Sequence, residues 1–299
     1  LLPRVWGKDE GTTAAIQQYY EVAGDFTVIT VRSLFPCLRL VEKTAHGLRG
    51  VFCRATAAAD LLYTRNLPTA LALLLLGRKP VVYETYRPWP DQWPILRPVI
   101  RWMTRHRRLL AGVFHSRLAE ASFVANGMPR EKCLVAYNGF DPQRMRPVLT
   151  RQAARRMLGA TDEQRIVTYT GTMGLNKGGG TLLEMAAMLP EVQFWLVGSR
   201  GPNEIEMLAE SLTNVKILPW QRFSETAPYL YAADVLIIPP TSLPLEKIGT
   251  TVLPLKTFLY MAAGRPIFGM ANPDMRELLT NEDKALLVDE DANLATICR

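Results

Sequence analysis

Cysteine is scarce in this chain: Cys37, Cys53, Cys133 and Cys298 are spread over 299 residues. Neither the paired spacing of a zinc site nor the density of a disulfide scaffold is present, so free thiols in a reducing cytoplasm are expected. Histidine is scarcer still, and His46, His106 and His115 have no spacing suited to metal binding. Long apolar runs are missing too. Residues 67–76 reach only about half of the roughly 20 residues that span a bilayer, so no transmembrane helix is expected. The opening LLPRVWGKDEG has neither an initiator Met nor the basic-then-apolar-then-small pattern of a secretory leader, which gives the expectation of a trimmed chain. Repeats of solenoid length and low-complexity tracts are also lacking.

What is present is 48% apolar content over a length too great for one small core, which predicts two packed domains. Charge is uneven. Residues 1–150 hold 21 Lys and Arg against 11 Asp and Glu, and residues 151–299 hold 14 against 17, giving +10 and −3. A basic half attracts nucleic acid, anionic lipid or an anionic substrate, and sign alone does not choose among them. No nucleic-acid reading module accompanies it, so no nucleic-acid partner is expected.

Short apolar runs (TVITV, DLLY, PVVYE, GVF, CLVAY) alternate with helix-like stretches in the first half, and RIVTYT, VQFWLV, NVKIL, DVLII, RPIF and ALLV do so in the second. This alternation predicts two α/β domains with parallel, doubly wound sheets. We place the boundary at Pro147, giving domains 1–147 and 148–299, with Thr150 capping a helix that Gly159 ends. Such sheets bind ligands at the carboxyl ends of their strands.

The segment YTGTMGLNKGGGTLLEMAAML predicts a strand ending at Gly171, a glycine-rich turn and a helix from about Thr181. Glycines admit a phosphate, a helix N-terminus offers unpaired N–H groups, and Lys177 adds charge. No Gly-Lys-Ser/Thr closes the run and no GxGxxG is present, which disfavours a P-loop kinase or a dehydrogenase. LVGSRGPNE repeats the design, with Gly198 and Gly201 in a turn and Pro202 suited to a first helical turn. Taken singly, this second turn is accounted for better by a plain strand-to-helix connection.

A third element, TTVLPLKTFLYMAAGRPIFGMANPDMREL, carries Pro254, Lys256, YMAAG at 260–264, Pro266, Arg276 and Glu277. In this pattern the chain resembles the family 4 (group 1) glycosyltransferases. YTGTMGLNKG is similar to that family's donor phosphate loop, YNGFDPQRMRP at 137–147 to its N-G-hydrophobic-D segment, and DLLYTRN and PVVYETYRP to its acceptor-side strand ends. The resemblance implies a GT-B fold, two Rossmann-like domains facing across a cleft, with an acceptor-side N-terminal domain and a nucleotide-sugar-binding C-terminal domain. The first strand of the former and the final helix of the latter would lie outside this chain. It further implies a retaining, metal-independent transferase with no cofactor, a UDP- or GDP-linked sugar as co-substrate, and a glycan or lipid-linked acceptor in polysaccharide synthesis.

Carried over residue by residue, Lys177 would neutralise the donor diphosphate, Gly171, Thr172 and Gly198 would line it, and Lys256 would approach with Pro254, Leu255 and Tyr260. The glutamate pair common in the family falls at Thr251 and Leu259 here, leaving Glu246 as a nearby carboxylate and Thr251 in the donor loop. On the acceptor side stand Glu84, Arg65 and Tyr86, the last where related sequences often have histidine, with Gly11 and Thr12 offering backbone amides. For Glu84 a surface ion pair with Arg65 or Arg87 competes with an active-site role, and for Thr12 an ordinary helix cap does. Asp289 and Asp291 form a DxD pattern in a polar turn that we discount as a metal site. Arg97, Arg101, Arg105 and Arg108, with Trp89, Trp93 and Trp102, suggest a helix face for an anionic membrane surface, hence a peripheral cytoplasmic protein. A solvated helix face is the alternative. A catalytically impaired scaffold and a sugar-nucleotide epimerase remain as alternatives to the transferase.

Overall fold

The computed structural model describes residues 12–29, 47–240, 253–279, 285–289 and 292–298. Two compact units emerge, Leu1–Tyr137 and Asn138–Arg299. The division falls ahead of Pro147 because the intervening segment packs with the second unit. Tyr231 donates its hydroxyl proton to the Met145 carbonyl at 2.8 Å, and the Arg144 guanidinium lies 4.6 Å from the Phe223 ring centroid.

The first unit contains a parallel sheet of β1 (Leu62–Thr64), β2 (Val81–Thr85), β3 (Leu109–Phe114) and β4 (Cys133–Val135), in that order. Val81, Tyr83, Leu109 and Phe114 are buried against Leu74, Ile100, Met103 and Phe123 from the flanking helices. The expected TVITV strand is not seen: residues 27–29 are irregular, Val28 donating its N–H to Thr13 Oγ1 at 3.1 Å, and residues 30 and 31 lie outside the described residues.

The second unit is a parallel six-stranded sheet of β5 (Arg165–Thr170), β6 (Val192–Ser199), β7 (Val215–Pro219), β8 (Val235–Ile237), β9 (Ile267–Met270) and β10 (Ala285–Val288). Its order is β10-β9-β8-β5-β6-β7. The chain enters at the centre, steps outward to β7, then returns and builds the other half from β8. The winding therefore reverses between β5 and β8, where a doubly wound sheet opens a crevice at its carboxyl edge.

Ahead of β5, Thr150 accepts a hydrogen bond from Ala153 N at 3.2 Å and Gly159 closes the helix Arg151–Leu158 with φ 70°. Arg155 of that helix is buried, donating to the carbonyls of Ala232 (2.9 Å) and Asp162 (2.8 Å) and to Asp234 Oδ2 (2.6 Å). Among the described residues no helix is long and apolar enough to cross a membrane.

Candidate active site

The turn after β5 and the turn after β6 meet at the carboxyl edge of the sheet, beside the winding reversal. Gly171 donates its N–H to the Val197 carbonyl at 2.9 Å. Gly198 sits so close to it that a Cβ there would lie 2.4 Å from the Gly171 carbonyl oxygen. Only a residue without a side chain permits this approach, and its φ of 130° also excludes ordinary L-residues. The two turns line one pocket of about 340 Å³, bounded by Thr172, Met173, Gly198, Arg200, Pro202 and Asn203.

The helix after the first turn spans Gly179–Met188 and so begins ahead of Thr181. Gly178, with φ 80°, forms its N-cap, and Gly179 packs on Ile205 so closely that a Cβ would lie 2.6 Å from Cδ1. In the second turn β6 runs on to Ser199, and Asn203 rather than Pro202 opens the helix, its side chain accepting from the N–H groups of Ile205 (2.9 Å) and Glu206 (3.3 Å).

Lys177 ends a short turn of 3₁₀ helix, Leu175–Lys177, and is exposed. Lys256 opens the helix Lys256–Ala263. Its Nζ rests 3.7 Å from the centroid of the Tyr169 ring, and a Cβ on Gly171 would lie 3.1 Å from that nitrogen. Desolvation, then repulsion from Lys177, lowers the Lys256 pKa to about 7. Lys256 thus lies against the glycine turns, with Lys177 near enough to repel it.

Tyr260 takes a different place from the one expected of a donor contact. Its side chain is fully buried, and its hydroxyl accepts from Thr170 N at 2.8 Å, so it fixes the end of β5 from beneath. Tyr169 similarly donates to the Thr172 carbonyl at 2.9 Å. Pro254 accepts from Thr257 N at 3.0 Å, and Leu255 is the exposed cap of the lysine helix. Glu246 and Thr251 lie outside the described residues.

In the first unit, polar side chains gather at the carboxyl ends of three adjacent strands. Arg65 follows β1, Glu84 lies in β2, and His115 follows β3. Glu84 Oε1 accepts from Arg65 Nε at 3.1 Å and lies 2.5 Å from His115 Nε2. The Tyr63 pKa is pushed up to about 12, by desolvation and then by its hydrogen bond to the Glu84 carboxylate. Tyr86 stands with its ring 6.2 Å from that of His115, and Arg87 lies over the rings of Tyr86 and Trp89 at 5.8 and 4.9 Å. Glu84 therefore pairs with Arg65 and also with a histidine that spacing alone did not single out. The readable signal was its position directly after the GVF strand, one strand over from Glu84. Thr12 caps the helix Thr13–Tyr20, its Oγ1 accepting from Ala15 N at 3.1 Å; Gly11 lies outside the described residues.

Arg108 does not join the basic helix face. The helix ends at Arg105, and the Arg108 guanidinium donates to the Leu73 carbonyl at 3.1 Å and to that of Leu74, closing the C-terminus of the helix Leu67–Leu76. Arg97 donates to the Pro90 carbonyl at 2.9 Å. Arg101, Trp102, Arg105, His106 and Arg107 line an open groove of about 640 Å³. Asp289 is ion-paired to Arg276 at 2.6 Å, and Asp291 lies outside the described residues.

Comparison with known proteins bears on this geometry. Residues 164–299 match the family model described as Glycosyl transferases group 1. No curated protein sequence matches. Among solved structures, sucrose-phosphate synthase from Thermosynechococcus elongatus is similar with TM-score 0.67 and 19% identity, over 92% of this chain and 70% of that one. Anabaena Alr3699/HepE in complex with UDP-glucose is similar with TM-score 0.62 and 21% identity, over 91% and 74%. WaaG, a glycosyltransferase involved in lipopolysaccharide biosynthesis, gives 0.63 and 17%, over 92% and 78%. The fold is GT-B, and the stretch 164–299, which holds both glycine turns and Lys256, is similar to the group 1 glycosyltransferases.

Proposed function

We propose that the protein is a retaining, metal-independent glycosyltransferase of family 4, moving a sugar from a UDP- or GDP-linked donor to a lipid-linked or polysaccharide acceptor. The observation that carries this reading is the backbone contact of the Gly171 and Gly198 turns beside the winding reversal, with Lys256 against Gly171 and Lys177 close enough to repel it. Glycosyl transfer needs charge stabilisation of a departing nucleoside diphosphate, and two ammonium groups with exposed backbone supply it. We assign donor binding to the second unit and acceptor binding, with Glu84, to the first.

Incubation with UDP- and GDP-sugars and mass detection of glycosylated products tests the reading. Lys177→Ala is expected to lower turnover by about a hundredfold, in line with loss of one preorganised charge contact. Unchanged transfer would remove Lys177 from the site.

Lys256 adds a pH dependence. Its depressed pKa means that the folded protein prefers the neutral amine. Stability at this residue is therefore lowest below about pH 7 and rises as pH climbs toward 10.5, where the unfolded chain also loses the proton. A bound diphosphate reverses the preference, so UDP affinity is expected to fall as pH rises above 7, with proton uptake on binding. Calorimetry in two buffers of different ionisation enthalpy measures that uptake; Lys256→Met should abolish it, and equal uptake in the variant would refute the assignment.

The basic helix is assigned to an anionic membrane surface at the cytoplasmic face. Arg101→Ala with Arg105→Ala should weaken binding to phosphatidylserine vesicles roughly thirtyfold, at about 1 kcal/mol per arginine, and Arg108→Ala should not. Equal sedimentation of wild type and double variant would count against it.

A second reading, a nucleotide-binding scaffold without turnover, is favoured by Leu259, a half-buried apolar residue where the family's glutamate is expected. Nucleotide binding without hydrolysis or transfer would select it. The epimerase alternative lacks support from the family match.

A further inference from the structure

We propose that residues 93–102 of the first unit form a membrane-inserting edge. Trp93, Ile95, Val99 and Trp102 enter the acyl region of an anionic bilayer, while Arg101, Arg105 and Arg107 hold lipid phosphates beside them. This rests on the assignment of the basic helix to a membrane surface and adds the mode of attachment, insertion rather than adsorption by charge.

The case begins with exposure. Trp93 is 54% exposed, Ile95 81%, Val99 41% and Trp102 40%. Apolar residues scattered singly over a surface need no explanation, but a cluster rimmed by charge marks an interaction site. Ile95 lies in the 3₁₀ turn Pro94–Leu96, which runs through helical backbone at Leu96 and Arg97 into the helix Arg97–Arg105. Positions 95, 99 and 102 are spaced four and three apart, so they share one face. Ile100, Met103 and Thr104 of the same helix are buried, Ile100 and Met103 within the hydrophobic core, so the exposed strip plays no part in packing.

The charge beside the strip is uncompensated. Arg97 lies 3.7 Å from Asp91 and donates to the Pro90 carbonyl, and Arg108 closes another helix. Among the described residues Arg101, Arg105 and Arg107 have no ion-pair partner. Arg101 and Arg105 lie on one side, flanking Gly127: a Cβ there would stand 3.6 Å from Arg101 Cγ and 3.5 Å from Arg105 Nη2. With Arg107 and Trp102 they line the open groove of about 640 Å³. His106 adds no charge near neutral pH, because burial and then Arg108, Arg107 and Lys132 lower its pKa.

Guanidinium groups pair well with phosphate oxygens. A free phosphate would answer the arginines and leave the apolar strip in water. A lipid answers both, its phosphate in the groove and its acyl chain against Ile95 and Val99. Trp93 and Trp102 suit the boundary, where an indole is apolar along its body and wet at its N–H.

The test uses the whole chain with vesicles of mixed phosphatidylcholine and phosphatidylserine, made with ordinary or with brominated acyl chains, which quench an indole that reaches the hydrocarbon. Wild type should sediment with the vesicles and lose tryptophan emission on the brominated ones. Trp93→Phe with Trp102→Phe should remove most of that quenching while binding stays within about threefold. Ile95→Asp should weaken binding at least about tenfold at unchanged melting temperature. Should Ile95→Asp melt early, Ile95→Ser is read by the same measure. Sedimentation of wild type without quenching, or equal binding by the Ile95 variant, overturns insertion and leaves adsorption by charge. Equal binding to phosphatidylcholine alone overturns the role of the arginines. Release by inorganic phosphate, where sodium chloride of equal ionic strength does not release, shows a site for free phosphate and overturns the proposal. Wild type that does not sediment with the mixed vesicles overturns the membrane reading and the proposal with it.

Discussion

Gly198→Ala weakens nucleotide binding and loosens the second unit. The added methyl would lie 2.4 Å from the Gly171 oxygen and 2.9 Å from its carbonyl carbon, both backbone atoms that cannot swing aside. A φ of 130° adds its own strain, of order 1–3 kcal/mol for a non-glycine residue. Relief requires the two turns to part, and with them the pocket. The expected result is a loss of about 3 kcal/mol in urea unfolding, with UDP affinity more than about tenfold weaker by calorimetry. Gly201→Ala is the control: its φ is 121°, yet no atom lies within 4 Å of the added carbon, so backbone strain alone acts and the pocket survives. Equal effects at both glycines would show that backbone strain, not the contact of the two turns, sets the result.

Arg155→Met costs about 3–5 kcal/mol, the range found when one partner of a buried ion pair is removed. Arg155 is 1% exposed and joins the helix Arg151–Leu158 to Asp234, ahead of β8, and to backbone carbonyls on both sides. Its removal strands the Ala232 and Asp162 carbonyls. Asp234 keeps Arg151 at 2.6 Å and the Ile166 N–H at 2.8 Å, which should hold the loss toward the lower end. Thermal unfolding should fall by roughly 10 °C for a unit of this size. A fall of less than about 2 °C would show that the network carries little of the stability.

Much of the second unit is legible from sequence because its inner strands β6, β8 and β9 are buried along most of their length and read as continuous apolar runs. RIVTYT forms β5, which stops at Thr170, one residue short of the expected Gly171, and ALLV forms β10. Thr150 and Gly159 act where their chemistry directs, as a side-chain acceptor at a helix start and a left-handed residue at its end. Prediction failed where tertiary contact outranks local pattern. Gly179 starts the helix two residues ahead of Thr181, and a Cβ there would lie 2.6 Å from Ile205 Cδ1, a tertiary contact that spacing cannot convey. Arg108 fits a helical period but serves the end of another helix, a partner remote in sequence. Tyr260 matches a family motif at the level of letters, yet its hydroxyl supports β5 from within the core. His115, one histidine without metal spacing, carries no signal until the strand beside it supplies Glu84. The glycine turns were legible individually; their contact was not, since it depends on how β5 and β6 align.

The most direct measurement is a calorimetric titration of UDP and GDP into wild-type protein and Lys177→Ala. The account predicts that one of the two nucleotides binds wild type with one-to-one stoichiometry and binds Lys177→Ala at least about tenfold more weakly, because a full charge is lost from the diphosphate. Absence of binding by either nucleotide, or equal binding by both proteins, would contradict the assignment of the Gly171 and Gly198 turns as a donor phosphate site.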